Sequence, residues 1–151
     1  MRSITPNLWF DDNLEEAVDF YTSVFPDAKV HGMMHRPDGQ VLTADFELAG
    51  QAVKGLNGGP EFRLTEAFSF FVECDDQAEV DHYWSVLTAD GGEESQCGWL
   101  KDRFGVSWQI IPTEFLEMLS NGSPEQVERV MAAMMQMRKF DVAALRAAYE
   151  G

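Results

Sequence analysis

What most constrains the fold of this chain is an echo of one segment in another. Val18-Asp19-Phe20-Tyr21-Thr22-Ser23-Val24-Phe25 lies 62 residues before Val80-Asp81-His82-Tyr83-Trp84-Ser85-Val86-Leu87, and Val, Asp, Tyr, Ser and Val recur at five of the eight positions. Helical amphipathicity would repeat the apolar positions alone, and it does not require the exposed Asp and Ser to match. Such self-similarity implies two copies of one supersecondary unit.

Each copy has the pattern strand, helix, three strands. Ile4 to Phe10 alternates as a half-buried strand does, with Pro6 placing it at an edge or a strand start. Asp12 with Glu15 is a cap pair for a helix over 13–25, whose stripe is Leu14, Ala17, Val18, Tyr21 and Phe25 and whose stop is Pro26. Strands at 29–36, 41–49 and 51–57 are parted by Pro37-Asp38-Gly39 and Ala49-Gly50, and Gly58-Gly59-Pro60 closes the half. The second half repeats the order. A strand at 68–73 leads to a helix at 77–89, opened by Asp76 with Glu79 and striped by Val80, Tyr83, Trp84 and Leu87. Strands follow near 93–97, 98–102 and 106–111, the last two joined by Asp102-Arg103-Phe104-Gly105.

After Pro112 the periodicity becomes helical. Thr113 can cap a helix at 114–119. Ser123-Pro124-Glu125-Gln126 is a capping box with Pro at the first helical position, and that helix is expected to bury Val127, Val130, Met131 and Met134. Asp141 caps the last helix, with Phe140 and Leu145 as a hydrophobic staple. The Met-rich stripe is expected to serve packing or a dimer contact. The pattern predicts an α+β fold: two tandem βαβββ modules, 1–60 and 67–112, forming a curved mixed sheet that encloses a cleft, with a helical extension at 113–151, all as a single domain over 1–151.

Charge narrows the partners. Eleven Lys and Arg against 26 Asp and Glu give a formal charge of -15, so the field repels phosphate backbones and anionic lipid and excludes nucleic acid and membrane surfaces as expected partners. The same field attracts cations. Cys74 and Cys97 make neither a disulfide framework nor a metal-binding spacing, and with no apolar leader and no stretch of about 18 apolar residues the expectation is a cytoplasmic protein.

Strand parity locates a candidate site. Ile4, Leu8 and Phe10 must face the helix, which sends Thr5, Asn7 and Trp9 to the cleft; by the same rule Ser69, Phe71 and Glu73, and the more polar set Ser107, Gln109 and Ile111, face it from the second half.

Asp102-Arg103-Phe104-Gly105-Val106-Ser107-Trp108-Gln109-Ile110-Ile111-Pro112, the preceding Gly98-Trp99-Leu100, the segment Leu56-Asn57-Gly58-Gly59-Pro60 and the opening Ile4-Thr5-Pro6 resemble the PhnB-like branch of the vicinal-oxygen-chelate (glyoxalase/bleomycin-resistance) superfamily, whose members are often labelled 3-demethylubiquinone-9 3-methyltransferase-like. The resemblance extends over nearly the whole chain. It implies that metal-dependent relatives hold a divalent ion with four ligands, usually His and Glu, from the first and fourth strands of each half. Matching by motif puts Gln109 at the last-strand Glu position and Ser69 at the second-half His position, with Thr5, or Pro6 under another gap, as the partner of Ser69, and Asn57 as the fourth. None of Thr5, Asn57, Ser69 and Gln109 offers a thiolate, imidazole or carboxylate, so no metal and no cofactor is expected. The resemblance also implies a homodimer.

Other candidates carry less. His31 and His35 share a strand face without a matched acid in sequence, His82 lies beside a helical stripe, Cys97 could act as a nucleophile, and Asp102 and Arg103 belong to a turn. A Rossmann-type methyltransferase needs alternating strands and helices with a glycine-rich strand-to-helix loop, whereas the glycine pairs here follow strands or end a helix. The expected function is metal-free binding of an aromatic or cationic small molecule, with Thr5, Asn7, Trp9, Asn57, Ser69, Phe71, Trp99 and Gln109 as the ligand-binding set. The alternative is an enzyme of lyase, isomerase or dioxygenase type, or the methyltransferase of the family label.

Overall fold

A computed structural model describes residues 3–151, and the chain divides into two compact units, one ending at Leu64 and one running from Thr65 to Gly151. In the first, β1 (Asn7–Phe10), α1 (Leu14–Val24), β2 (Lys29–His35), β3 (Val41–Leu48) and β4 (Gln51–Asn57) form a sheet of order β1-β4-β3-β2. The second contains β5 (Ser69–Cys74), α2 (Gln77–Thr88), β6 (Glu93–Glu94), β7 (Trp99–Lys101) and β8 (Ser107–Pro112) in the order β5-β8-β7-β6. Each sheet has one parallel pair, β1 with β4 and β5 with β8, and is antiparallel elsewhere. The connectivity is therefore the same twice, as the internal echo requires.

One helix covers one face of each sheet. Leu14, Ala17, Val18 and Tyr21 of α1 are fully buried, and the strand residues beneath them are Leu8, Phe10, Phe46 and Val53. Gly55 makes this approach possible, since a Cβ there would sit 2.2 Å from Leu14 Cδ1. In the second unit Val80, Trp84 and Leu87 of α2 are buried over Leu100, Trp108 and Ile110. Each large apolar side chain removed from water in this way contributes about 1.5–3 kcal/mol before chain entropy is counted.

Beyond β8, α3 (Thr113–Asn121), α4 (Pro124–Met134) and α5 (Val142–Glu150) complete the second unit. Two expected caps are realised there: Ser123 and Gln126 form the capping box of α4, and the Asp141 carboxylate accepts the Ala144 N–H at 3.0 Å. Asp76 likewise receives the Glu79 N–H at the start of α2. Phe140 and Leu145 are both buried, and Phe140 stacks on Phe115 with ring centroids 4.9 Å apart. Among the described residues no helix is long and apolar enough to cross a membrane.

Several expectations are corrected. The first strand begins at Asn7, not Ile4, which is 87% exposed; Pro6 has no N–H to give the ladder, although its carbonyl still accepts from Lys54 at 2.9 Å. Asp12 does not cap α1. Asn13 occupies the cap position without a side-chain bond, and the Leu14 N–H goes to Asn57 Oδ1 at 3.0 Å. The strand expected at 93–97 stops after Glu94, because the chain turns through Cys97 and Gly98 at φ of 57° and 82°. Thr113 begins α3 rather than capping it, and Met131 is 39% exposed while Val130 and Met134 take the core.

Candidate functional site

In the first unit the side of the sheet away from α1 carries Asn7 and Trp9, as parity predicts. Trp9 is tied down locally: its indole Nε1 donates to Gly59 O at 2.9 Å and its ring meets Phe62 edge-on at 5.0 Å. Gly58 packs against that ring so closely that a Cβ would stand 2.3 Å from it. Trp9 is thus the seat of the 58–60 loop. Thr5 precedes β1 and has no place in the ladder.

Asn57 is a correction to the expected ligand set. It pairs with Phe10 in the parallel register, so it shares the helix-facing side, and it is only 7% exposed. Its Oδ1 accepts from Leu14 N, and its Nδ2 donates to Val41 O at 2.9 Å. Both ends of the amide are committed to the fold. Its backbone carbonyl oxygen accepts from Arg36 Nη2 at 2.8 Å, which fixes the strand end as well.

The second unit presents a clearer site. On the side of its sheet away from α2 the register sets out two rows: Ser69, Ser107, Lys101 and Glu93 across β5-β8-β7-β6, and beside it Phe71, Gln109 and Trp99 across β5-β8-β7. Gln109 Nε2 donates to Ser69 Oγ at 2.9 Å, so these two candidate residues meet. Phe71 is 49% exposed beside them. Lys101 Nζ pairs with Glu66 Oε1 at 2.6 Å; the hydrogen bond between them raises the Lys101 pKa and lowers that of Glu66.

A cavity of about 460 Å³ opens at the β6–β7 side of this face, with Glu66, Glu93, Glu94, Trp99, Lys101 and Ser107 in its lining. Trp84 Nε1 donates to Glu94 Oε1 at 2.7 Å, which commits that carboxylate. Ser107 is 2% exposed and its Oγ has no hydrogen-bond partner among the described residues. A buried hydroxyl left in this state costs about 1–3 kcal/mol. Parity placed Ser107 on this face, but its missing partner shows only in three dimensions.

Asp102 anchors the hairpin below, as its turn position implied. Its Oδ1 accepts from Phe104 N at 2.9 Å and Val106 N at 3.0 Å, and its Oδ2 from Trp108 Nε1 at 2.8 Å. Cys97 Sγ lies 3.9 Å from Met135 Sδ. Cys74 is buried, and desolvation pushes its thiol up to about 12, so it stays protonated. His82 is exposed beside Tyr83. His31, expected to lack an acid partner, meets Glu47 Oε2 at 3.2 Å through the neighbouring strand.

The four positions matched to metal ligands do not suit a divalent ion. They carry two hydroxyls and two amides, and the Asn57 amide is already spent on backbone groups. Among the described residues no group of three or more His, Cys, Asp and Glu could hold one either.

The sequence family described as 3-demethylubiquinone-9 3-methyltransferase matches residues 2–111. Among solved structures, the PhnB protein from Bacillus cereus, which bears the same description, is 30% identical with a TM-score of 0.68, the match covering 74% of this chain and 99% of that one. Protein PA1353 from Pseudomonas aeruginosa is 20% identical at a TM-score of 0.61, over 74% and 98% of the two chains. The fosfomycin resistance protein FosX from Listeria monocytogenes, solved with Mn(II) and sulfate, shares the fold at 15% identity and a TM-score of 0.53, over 74% and 90%. No curated protein matches the sequence. With the family matched over most of its length and the repeated sheet order to support it, the chain belongs to the family described as 3-demethylubiquinone-9 3-methyltransferase, the PhnB-like branch of the vicinal-oxygen-chelate superfamily.

Proposed function

We propose that the protein binds a small organic molecule on the open face of the second sheet and that it does so without a bound metal. The observation that carries this is Gln109, set between the rings of Phe71 and Trp99 in one register row and bonded to Ser69 in the row beside it. An amide and a hydroxyl give directional donors and acceptors, and the flanking rings give apolar area; a few polar groups in apolar walls are what a small-molecule site needs. Gln109 orients the ligand through whichever amide end it does not spend on Ser69. Trp9 and Asn7 offer similar chemistry on the first sheet, and Trp9 does so through its ring face alone.

The reading that these residues support is a binding protein. It extends to a cytoplasmic homodimer, in keeping with the two free cysteines and the superfamily resemblance. A thermal-shift screen of a small-molecule library on wild type and on Gln109→Ala tests the site. A ligand at 100 times its dissociation constant adds about 2.7 kcal/mol of stability, and hits that lose their shift in Gln109→Ala are expected. Equal shifts in both proteins remove Gln109 from the site, and a screen without hits removes the function.

A further inference from the structure

The cavity on the β6–β7 side has chemistry of its own that the Gln109 row does not use. Glu66 and Lys101 neutralise one another, and Glu94 is bonded to Trp84. Glu93 remains as the carboxylate facing the same side as Lys101 and Ser107, in the row set by the strand register. Arg138 stands 3.8 Å from Glu94, so the carboxylates of the wall outnumber the cations beside them by one and the field favours a cation. Trp99 adds an aromatic surface of the kind that attracts one. Ser107, a 2% exposed residue in the lining, has an Oγ without a hydrogen-bond partner among the described residues, and that oxygen is free to accept.

We propose that this cavity is a binding site for an organic ammonium ion, whose N–H groups go to Ser107 Oγ and the Glu93 carboxylate and whose carbon frame rests on Trp99. The proposal rests on the reading of the protein as a small-molecule binder, but it assigns the cation to Ser107 and Glu93 rather than to Gln109. About 460 Å³ is ample for an amine carrying a single ring.

Isothermal titration with benzylammonium, benzyl alcohol and benzoate at neutral pH tests it. Benzylammonium should bind at least about tenfold more tightly than benzyl alcohol, since it alone brings a positive charge to the Glu93 carboxylate, and benzoate should give no heat. Ser107→Ala and Glu93→Gln should each weaken benzylammonium by about five- to tenfold. Ser107→Ala removes a hydroxyl with no partner among the described residues, so its melting temperature should not fall, and the loss of binding cannot then be put down to misfolding. Equal affinities for the amine and the alcohol, or variants that bind the amine as wild type does, overturn the proposal. If benzylammonium gives no heat while library hits still depend on Gln109, the cation site fails and the binding function stands; if both fail, neither reading survives.

Discussion

Asn57 Oδ1 receives the backbone N–H of Leu14 at 3.0 Å, so the last residue of β4 caps a helix that begins 43 residues earlier. The same side chain donates to Val41 O, which ties β3 to the cap. Replacing Asn57 by Ala strands one buried donor and one buried acceptor and should cost about 2 kcal/mol in urea unfolding. Asn57→Asp should lose less, because a carboxylate still accepts at the positive helix end but meets the Val41 carbonyl without a proton to share. A loss below about 0.5 kcal/mol for the Ala variant would show that the cap is ornamental. Ligand affinity on the second sheet should be unchanged in both.

The two thiols should part company under alkylation. Cys74 is fully buried with its pKa pushed up to about 12, first by desolvation and then by Glu79, Asp75 and Asp76. The native protein should therefore be alkylated quickly at one thiol, the partly exposed Cys97, and at two after denaturation. For Cys74 the folded pKa exceeds the ordinary thiol value of 9.0. Its contribution to stability is thus complete below pH 9.0 and declines as pH climbs toward about 12. Two fast thiols in the native state would contradict this.

At the other end of the pH scale, Arg146 grips Glu114 with two bonds of 2.8 and 2.7 Å. The hydrogen bond from Arg146 holds the Glu114 carboxyl below its usual range. A depressed carboxylate stabilises the fold above its unfolded pKa, and the effect disappears as pH falls through the folded value. The melting-temperature gap between wild type and Glu114→Gln should hence be constant at neutral pH and close on acidification. It should be small and salt-sensitive, since the pair is at the surface. A gap that widens in acid would reverse the assignment.

Much of this architecture is legible in the sequence because the helical stripes and strand parities are local. Val80, Trp84 and Leu87 recur at the spacing that buries one face, and Ser69, Phe71, Ser107 and Gln109 follow from alternation once the strands are placed. What escapes is set by register between distant strands. Asn57 looks like a site residue by motif, and only its pairing with Phe10 sends it to the helix side. His31 meets Glu47 next to a bulge that no local pattern announces. Ser107 is on the expected face, yet alternation says nothing of whether its hydroxyl finds a partner, and among the described residues it finds none.

The turn through Cys97 and Gly98 is fastened from outside its own hairpin: Cys97 N donates to Met137 O at 2.8 Å and Gly98 N to Arg138 O at 2.7 Å. Gln77 makes a second stitch, giving its Nε2 to Phe140 O and taking the Val142 N–H on Oε1. The segment between α4 and α5 is thus the outer buttress of the cavity rim, although it lies past the stretch that matches the family. Whoever trims the chain to its family-matched portion in search of a minimal binder will have removed the masonry against which the binding wall leans.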